Sequence, residues 1–245
     1  MKKKSLIIGI GILFFIFSCK KDGENSCPIS AGEETTEIRK VSDFHSIKMS
    51  DKFDVYFLQS KDSSYALEIQ AGENIIPNII TEKDGDYLII RNEIKCNFLR
   101  SYKNKIKIII KSPHLKNIIN DGVGNFYSLD TIIEEKMDYY IQNSGDIELK
   151  VKTKRILGHM HGAGDIYLSG FADNHLVNSV GQSFIRAQDL ITGYSEVHFR
   201  SSGEARISVS GLLDVRILAS GNVYYGGNPA SVIFDKSGTG NLIKL

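Results

Sequence analysis

Seven short units recur along the second half of this chain, each reading as a small residue, a glycine, a polar residue and an apolar residue. They are Gly122-Val123-Gly124-Asn125-Phe126, Asn143-Ser144-Gly145-Asp146-Ile147, Gly162-Ala163-Gly164-Asp165-Ile166, Gly181-Gln182-Ser183-Phe184-Ile185, Ser201-Ser202-Gly203-Glu204-Ala205, Ala219-Ser220-Gly221-Asn222-Val223 and Gly238-Thr239-Gly240-Asn241-Leu242. Their central positions, 124, 145, 164, 183, 203, 221 and 240, are separated by 21, 19, 19, 20, 18 and 19 residues. A unit this short cannot enclose a core of its own, so neighbouring units must stack and share one.

Alignment of the units shows which side chains face inward. Two residues after each centre stand Phe126, Ile147, Ile166, Ile185, Ala205, Val223 and Leu242, and six before it stand Ile118, Tyr139, Gly158, Val177, Val197, Val215 and Phe234. Three residues after each centre the column turns mostly polar or amphipathic: Tyr127, Glu148, Tyr167, Arg186, Arg206, Tyr224 and Ile243. Alternation with a period of two means strands. The predicted fold is therefore all-β, a single-stranded β-helix or solenoid with rungs of about 19 residues, in which the same strand of each turn pairs with its copy about 4.8 Å away. Seven such rungs would rise about 34 Å. Glycine recurs because each corner needs a positive φ or a backbone passing close to its neighbour. An antiparallel hairpin array or a propeller is the rival, although propeller blades take about 40 residues or more.

The first half is β as well, but less regular. Phe44 to Met49, Phe53 to Gln59, Tyr65 to Ala71, Ile75 to Thr81, Tyr87 to Asn92 and Lys105 to Lys111 are strand-length, with a turn at Asp84-Gly85-Asp86. The change of regime is placed at Pro113-His114, which gives an irregular β region over 38–113 and β-helix repeats over 114–245.

The N-terminus reads as an address. Lys2, Lys3 and Lys4 precede an apolar run from Ser5 to Phe17, too short to span a hydrocarbon layer about 30 Å thick, which is the pattern of a signal peptide over 1–18. Phe17-Ser18-Cys19 resembles the lipobox of bacterial lipoproteins, which implies cleavage before Cys19 and a lipid anchor on that residue, with residues 19–37 as lipidated cysteine and flexible tether. The implied address is the outer membrane of the cell envelope, on either its periplasmic or its surface face. In an oxidising envelope Cys27 and Cys96 are either two free thiols or a disulfide closing a loop of about seventy residues, worth about 4 kcal/mol.

The order of Phe44-His45-Ser46-Ile47, Asp54-Val55-Tyr56-Phe57, Tyr87-Leu88-Ile89-Ile90, Ile106 to Pro113 and then the Gly-x-Gly-like units resembles the putative auto-transporter adhesin, head GIN domain family, over about residues 38 to 245. That resemblance implies a secreted or lipid-anchored β-helical domain and supplies no catalytic residues. The fourth unit departs from the pattern, because Ser183-Phe184 stands where Gly-Asp is expected.

Charge and motifs narrow the function classes. Thirty basic residues against 29 acidic ones, with no basic run inside the body, argue against a nucleic-acid partner. No Gly-x-Ser-x-Gly, His-Glu-x-x-His, Walker-type loop or EF-hand loop occurs, and no cofactor is implied. Asp146 and Asp165 share a register position and form a weak candidate for a divalent metal. His159 and His161 are half of a metal set at most. Arg186, Arg206, Arg216 and Arg200 are candidates for a basic face, and Tyr127, Tyr167, Tyr224 and Tyr225 for sugar-stacking platforms. Two expectations follow. One is a non-catalytic envelope module presenting Tyr127, Tyr167, Arg186, Arg206 and Tyr224 to a glycan, a protein or another copy of itself through open β edges. The alternative is a carbohydrate-active lyase or hydrolase on the same scaffold, which needs clustered acids.

Overall fold

The structure, a computed structural model, describes residues 31–93 and 106–245. The expected signal peptide, Cys19 with its expected lipid, and Cys27 and Cys96 lie outside the described residues. Among the described residues, sixteen strands form one continuous sheet: β1 (Glu34–Arg39), β2 (Ser46–Met49), β3 (Asp54–Gln59), β4 (Ala66–Gly72), β5 (Ile79–Asp84), β6 (Tyr87–Asn92), β7 (Lys107–Ser112), β8 (Asn117–Asn120), β9 (Phe126–Ile141), β10 (Ile147–Met160), β11 (Ile166–Gly181), β12 (Ile185–Ser201), β13 (Glu204–Ile217), β14 (Asn222–Gly226), β15 (Ser231–Lys236) and β16 (Leu242–Lys244).

The repeat units are successive turns of a β-solenoid. β9 to β14 pair in parallel with their sequence neighbours, and the register joins Phe126 to Ile147, Ile147 to Ile166, Ile166 to Ile185, Ile185 to Ala205 and Ala205 to Val223. All six of these side chains are fully buried. The second inward column runs through Ile118, Tyr139, Gly158, Val177, Val197 and Val215. Phe234, its expected last member, is instead 43% exposed, because β15 is followed by no further strand on that side among the described residues.

Close backbone approach, rather than a left-handed φ, explains the central glycines. A Cβ on Gly145 would lie 2.0 Å from the Gly124 carbonyl oxygen, and one on Gly164 would lie 2.2 Å from that of Gly145. The corners are also hydrogen-bonded from rung to rung, with the Gly145 amide donating to Gly122 and the Gly164 amide to Asn143, both at 3.0 Å. At the divergent fourth corner Gly181 takes φ +115°. Ser183 is buried there, with its Oγ 2.9 Å from that of Ser179. The Phe184 carbonyl still accepts the Ile166 amide at 3.1 Å, so the winding continues through the substitution.

The parallel stack extends N-terminally past the expected boundary at 113–114. β2 lies between β6 and β8, and β3 between β7 and β9, all in parallel. β2 and β3 thus make a rung inserted between β6 and β7, which follow it in sequence, and the first glycine-marked turn. Its corner is Asp51-Lys52-Phe53, with Asp51 at φ +76° and the Phe53 carbonyl against Gly124. Regularity is lost beyond that point: β4 pairs antiparallel with β7, β1 with β4, and β5 with β6. Glu34–Arg39 is therefore strand β1, where the tether had been expected to reach residue 37, and Ile76–Asn78 is a 3-10 turn with Pro77 at its start instead of strand.

Candidate binding face

Between the buried columns, each rung presents two outward columns on the strand that follows the corner. The first, one residue after the centre, is a ladder of side-chain acceptors. Asp54 accepts the Asn125 amide, Asn125 the Asp146 amide, Asp146 the Asp165 amide and Asp165 the Phe184 amide, at 2.7–3.1 Å. The ladder breaks at Phe184, which has no acceptor, and resumes where Asn222 accepts the Asn241 amide at 2.9 Å. Asp146 and Asp165 are thus neighbours, as the register predicts, and each already spends one oxygen on the next rung's backbone. Burial, with the Asp146 charge adding to it, pushes the Asp165 carboxyl above the usual range. No group of three or more His, Cys, Asp and Glu side chains able to hold a metal occurs among the described residues.

The second column, two residues further along, is the one expected to face a ligand. The register places Tyr127, Glu148, Tyr167, Arg186, Arg206 and Tyr224 one above another. Tyr56 of β3 extends it downward, pairing with Tyr127, and their rings stack at 5.1 Å with 20° between planes. Lys107 Nζ stands 4.8 Å from the Tyr56 ring centre. The Arg186 guanidinium lies 5.1 Å from the Phe184 ring and 5.9 Å from Tyr167, and that of Arg206 lies 5.4 Å from Tyr224. From Tyr56 to Tyr224 the column crosses seven layers, about 29 Å at strand spacing. Burial raises the Tyr56 and Tyr127 phenols above their usual range, so both are neutral hydroxyls at pH 7. Asn125 Nδ2 donates to the Tyr127 hydroxyl at 2.9 Å, which orients that ring.

The register thus brings Tyr127, Tyr167, Arg186, Arg206 and Tyr224 into one outward column. Tyr56 and Lys107 join them without any signal in the repeat spacing, since Tyr56 precedes Tyr127 by 71 residues. Alternation within β3 does set Tyr56 outward from buried Val55 and Phe57, but nothing in the sequence says which rung it adjoins. The other candidates disperse. Tyr225 packs partly buried against the core and pairs with Ile207. Arg216 lies in a different outward column beside His198, and Arg200 beside Val180. His159 stacks on Tyr140 at 4.9 Å, while His161 is exposed at the next corner.

Rungs, corner ladder and face together define a parallel β-solenoid that displays an outward column of aromatic and cationic side chains interrupted by Glu148. The chain belongs to the family described as putative auto-transporter adhesin, head GIN domain, which it matches over residues 43–229. Its fold is similar to that of a putative adhesin from Bacteroides fragilis, with a TM-score of 0.78, 23% identity and coverage of 87% of this chain and 97% of that one. A putative lipid binding protein from Parabacteroides distasonis matches with a TM-score of 0.69, 24% identity and coverage of 87% and 97%. A putative adhesin from Parabacteroides merdae gives 0.65 and 19% over the same shares. The comparison with curated proteins returns no match.

Proposed function

We propose that this protein is a non-catalytic, adhesin-like module of the cell envelope, anchored by lipid on Cys19, which binds an extended glycan along the Tyr56 to Tyr224 column. The family supports an adhesin-like, envelope-facing role. The observation that carries the glycan reading is the column itself: aromatic faces and cations on six of its seven rungs, with Glu148 on the other, on a surface about 29 Å long. A sugar ring offers C–H faces to aromatic rings and hydroxyls to guanidinium and phenol groups. The corner carboxylates favour this reading over hydrolysis or lyase chemistry, because Asp146 and Asp165 serve the ladder instead of converging on an open cleft.

Two measurements test the proposal. Incubation of cells with an alkyne-bearing fatty acid is expected to label the wild-type protein and not Cys19→Ser; labelling of both would remove the anchor. Detergent-solubilised full-length protein, screened against polysaccharides, is expected to bind saturably and release no shorter products. Product release would instead establish the enzyme.

A second contact is favoured by β15, which exposes Val232, Ile233 and Phe234 and leaves one hydrogen-bonding edge without a strand among the described residues. Such an edge is a template for another copy. Sedimentation is expected to show a concentration-dependent dimer that Phe234→Lys dissociates; a monomer at every concentration would overturn it.

A further inference from the structure

We propose that the glycan is acidic, and that one of its carboxylate or sulfate groups is seated at Arg186, with the flanking sugars over Tyr167 on one side and over Arg206 and Tyr224 on the other. This rests on the reading that a glycan lies along the column, and it adds the chemical class.

The argument starts from charge. Arg186 and Arg206 stand on adjacent rungs in register, so two guanidiniums face outward one strand spacing apart. Like charges so placed repel. Glu204 forms an ion pair with Arg206 through its Nε. Arg186 has no ion pair among the described residues, and its neighbours across the face are the rings of Tyr167 and Phe184. The nearest acidic side chain, Asp165, attracts Arg186 from the neighbouring rung but makes no hydrogen bond or ion pair with it and turns an oxygen to the Phe184 amide, and at the position homologous to Asp165 the fourth unit carries Phe184, an apolar ring instead of a carboxylate.

The Tyr167 and Phe184 rings flank the guanidinium, and none of its N–H groups makes a hydrogen bond or an ion pair among the described residues. A planar fork held this way matches a carboxylate or sulfate through paired hydrogen bonds. The same column sets a limit on ligand charge. Glu148 projects two rungs from Arg186, exposed and on the same line. A polymer with an acid on every sugar would set one of them against Glu148, whereas a sparsely charged chain would not. The structure therefore assigns a single acidic subsite inside an otherwise neutral track.

Titration of the detergent-solubilised full-length protein with hyaluronan, alginate, dextran sulfate and neutral amylose tests this. The expected result is that hyaluronan, whose uronates alternate with neutral sugars, binds more tightly than alginate, which is acidic at every residue. Its affinity should fall at least tenfold in Arg186→Gln, recover in part in Arg186→Lys, and weaken with salt. Glu148→Gln is expected to narrow the gap between hyaluronan and alginate. Dextran sulfate, charged on every sugar like alginate, is expected to bind less tightly than hyaluronan; tighter binding that persists in Arg186→Gln would overturn the assignment of a single acidic subsite. Amylose bound as tightly as hyaluronan, and equally by Arg186→Gln, would overturn this inference while leaving the glycan track intact. Failure of every polysaccharide to bind would overturn the track itself. Arg186 is a surface side chain, so an unchanged melting temperature in Arg186→Gln separates lost binding from lost folding.

Discussion

Two buried side chains show how the stack constrains single residues. His175 occupies an inward column between Ile156 and Ser195; it is fully buried, with Nδ1 3.2 Å from the Ser195 hydroxyl and Nε2 without a partner. Burial pushes its pKa down to about 4, from 6.5. As the pH falls through 6.5 the unfolded chain takes up a proton that the folded chain refuses until about pH 4, so stability is lost across that window, by about 3 kcal/mol at its lower end. His175→Leu is expected to remove this loss: between pH 7 and 4.5 the wild-type melting temperature should fall by roughly 6 °C more than that of the variant. Parallel pH profiles would show the imidazole to be accessible. Beside it in the next column, Gly158 leaves a slot that Tyr139 fills, since a Cβ there would lie 2.1 Å from the Tyr139 ring. Gly158→Val alone should cost about 3 kcal/mol by overpacking, and Tyr139→Val should restore much of that loss by continuing the column of Val177, Val197 and Val215. Additive losses in thermal melts of the two variants would contradict the contact. The repeat alignment marked Tyr139 and Gly158 as inward and made no reading of His175; a polar histidine in a core column and a glycine complementing a tyrosine one rung below are packing facts that such an alignment does not rank.

At the scale of the element, the corner is the unit of construction. At Gly124, Gly145, Gly164 and Gly221 a central glycine pressed on a carbonyl of the rung before it is followed by a polar residue that accepts an amide of the rung after it. This account predicts that Asp146→Ala, which strands the Asp165 amide, costs about 1–2 kcal/mol, whereas Asp146→Asn changes stability by less than about 0.5 kcal/mol, because Asn125 and Asn222 perform the same task with an amide oxygen. Urea titration reads both. Equal losses in the two variants, together with a melting temperature raised by millimolar calcium, would instead make the carboxylates a cation site. The glycine-marked corners were legible because their spacing is nearly constant and each is flanked by inward apolar residues. The corner at Asp51 to Phe53 was not, for two physical reasons. It solves the tight turn with an aspartate at positive φ instead of a glycine, and its upper neighbour arrives 71 residues later, after the excursion through β4 to β7. Ile75 to Thr81 read as one strand by apolarity, yet Pro77 fixes its φ and withholds an amide, so a 3-10 turn precedes β5.

For the whole molecule, that excursion matters because it completes the face. The rung of β2 and β3 can form its ladders only when β6 and β7 close over one edge and β8 and β9 over the other, so the lower end of the column, Tyr56 with Lys107, depends on contacts distant in sequence. The upper end, from Tyr127 to Tyr224, follows directly from the repeat. This division explains why five members of the face could be named from sequence and two could not. At the far end β15 is exposed along its length, whereas at the near end the edge strand β1 carries Glu34, Glu37 and Arg39, charges that discourage further strand addition. The most direct test of the account is a crystal structure of the protein with a bound acidic oligosaccharide. Sugar rings should lie along the line of Tyr127, Tyr167, Arg186 and Tyr224, with an acidic group at Arg186. Sugar density on the Tyr140, His159 and Arg216 column instead, with the Arg186 column bare, would contradict it.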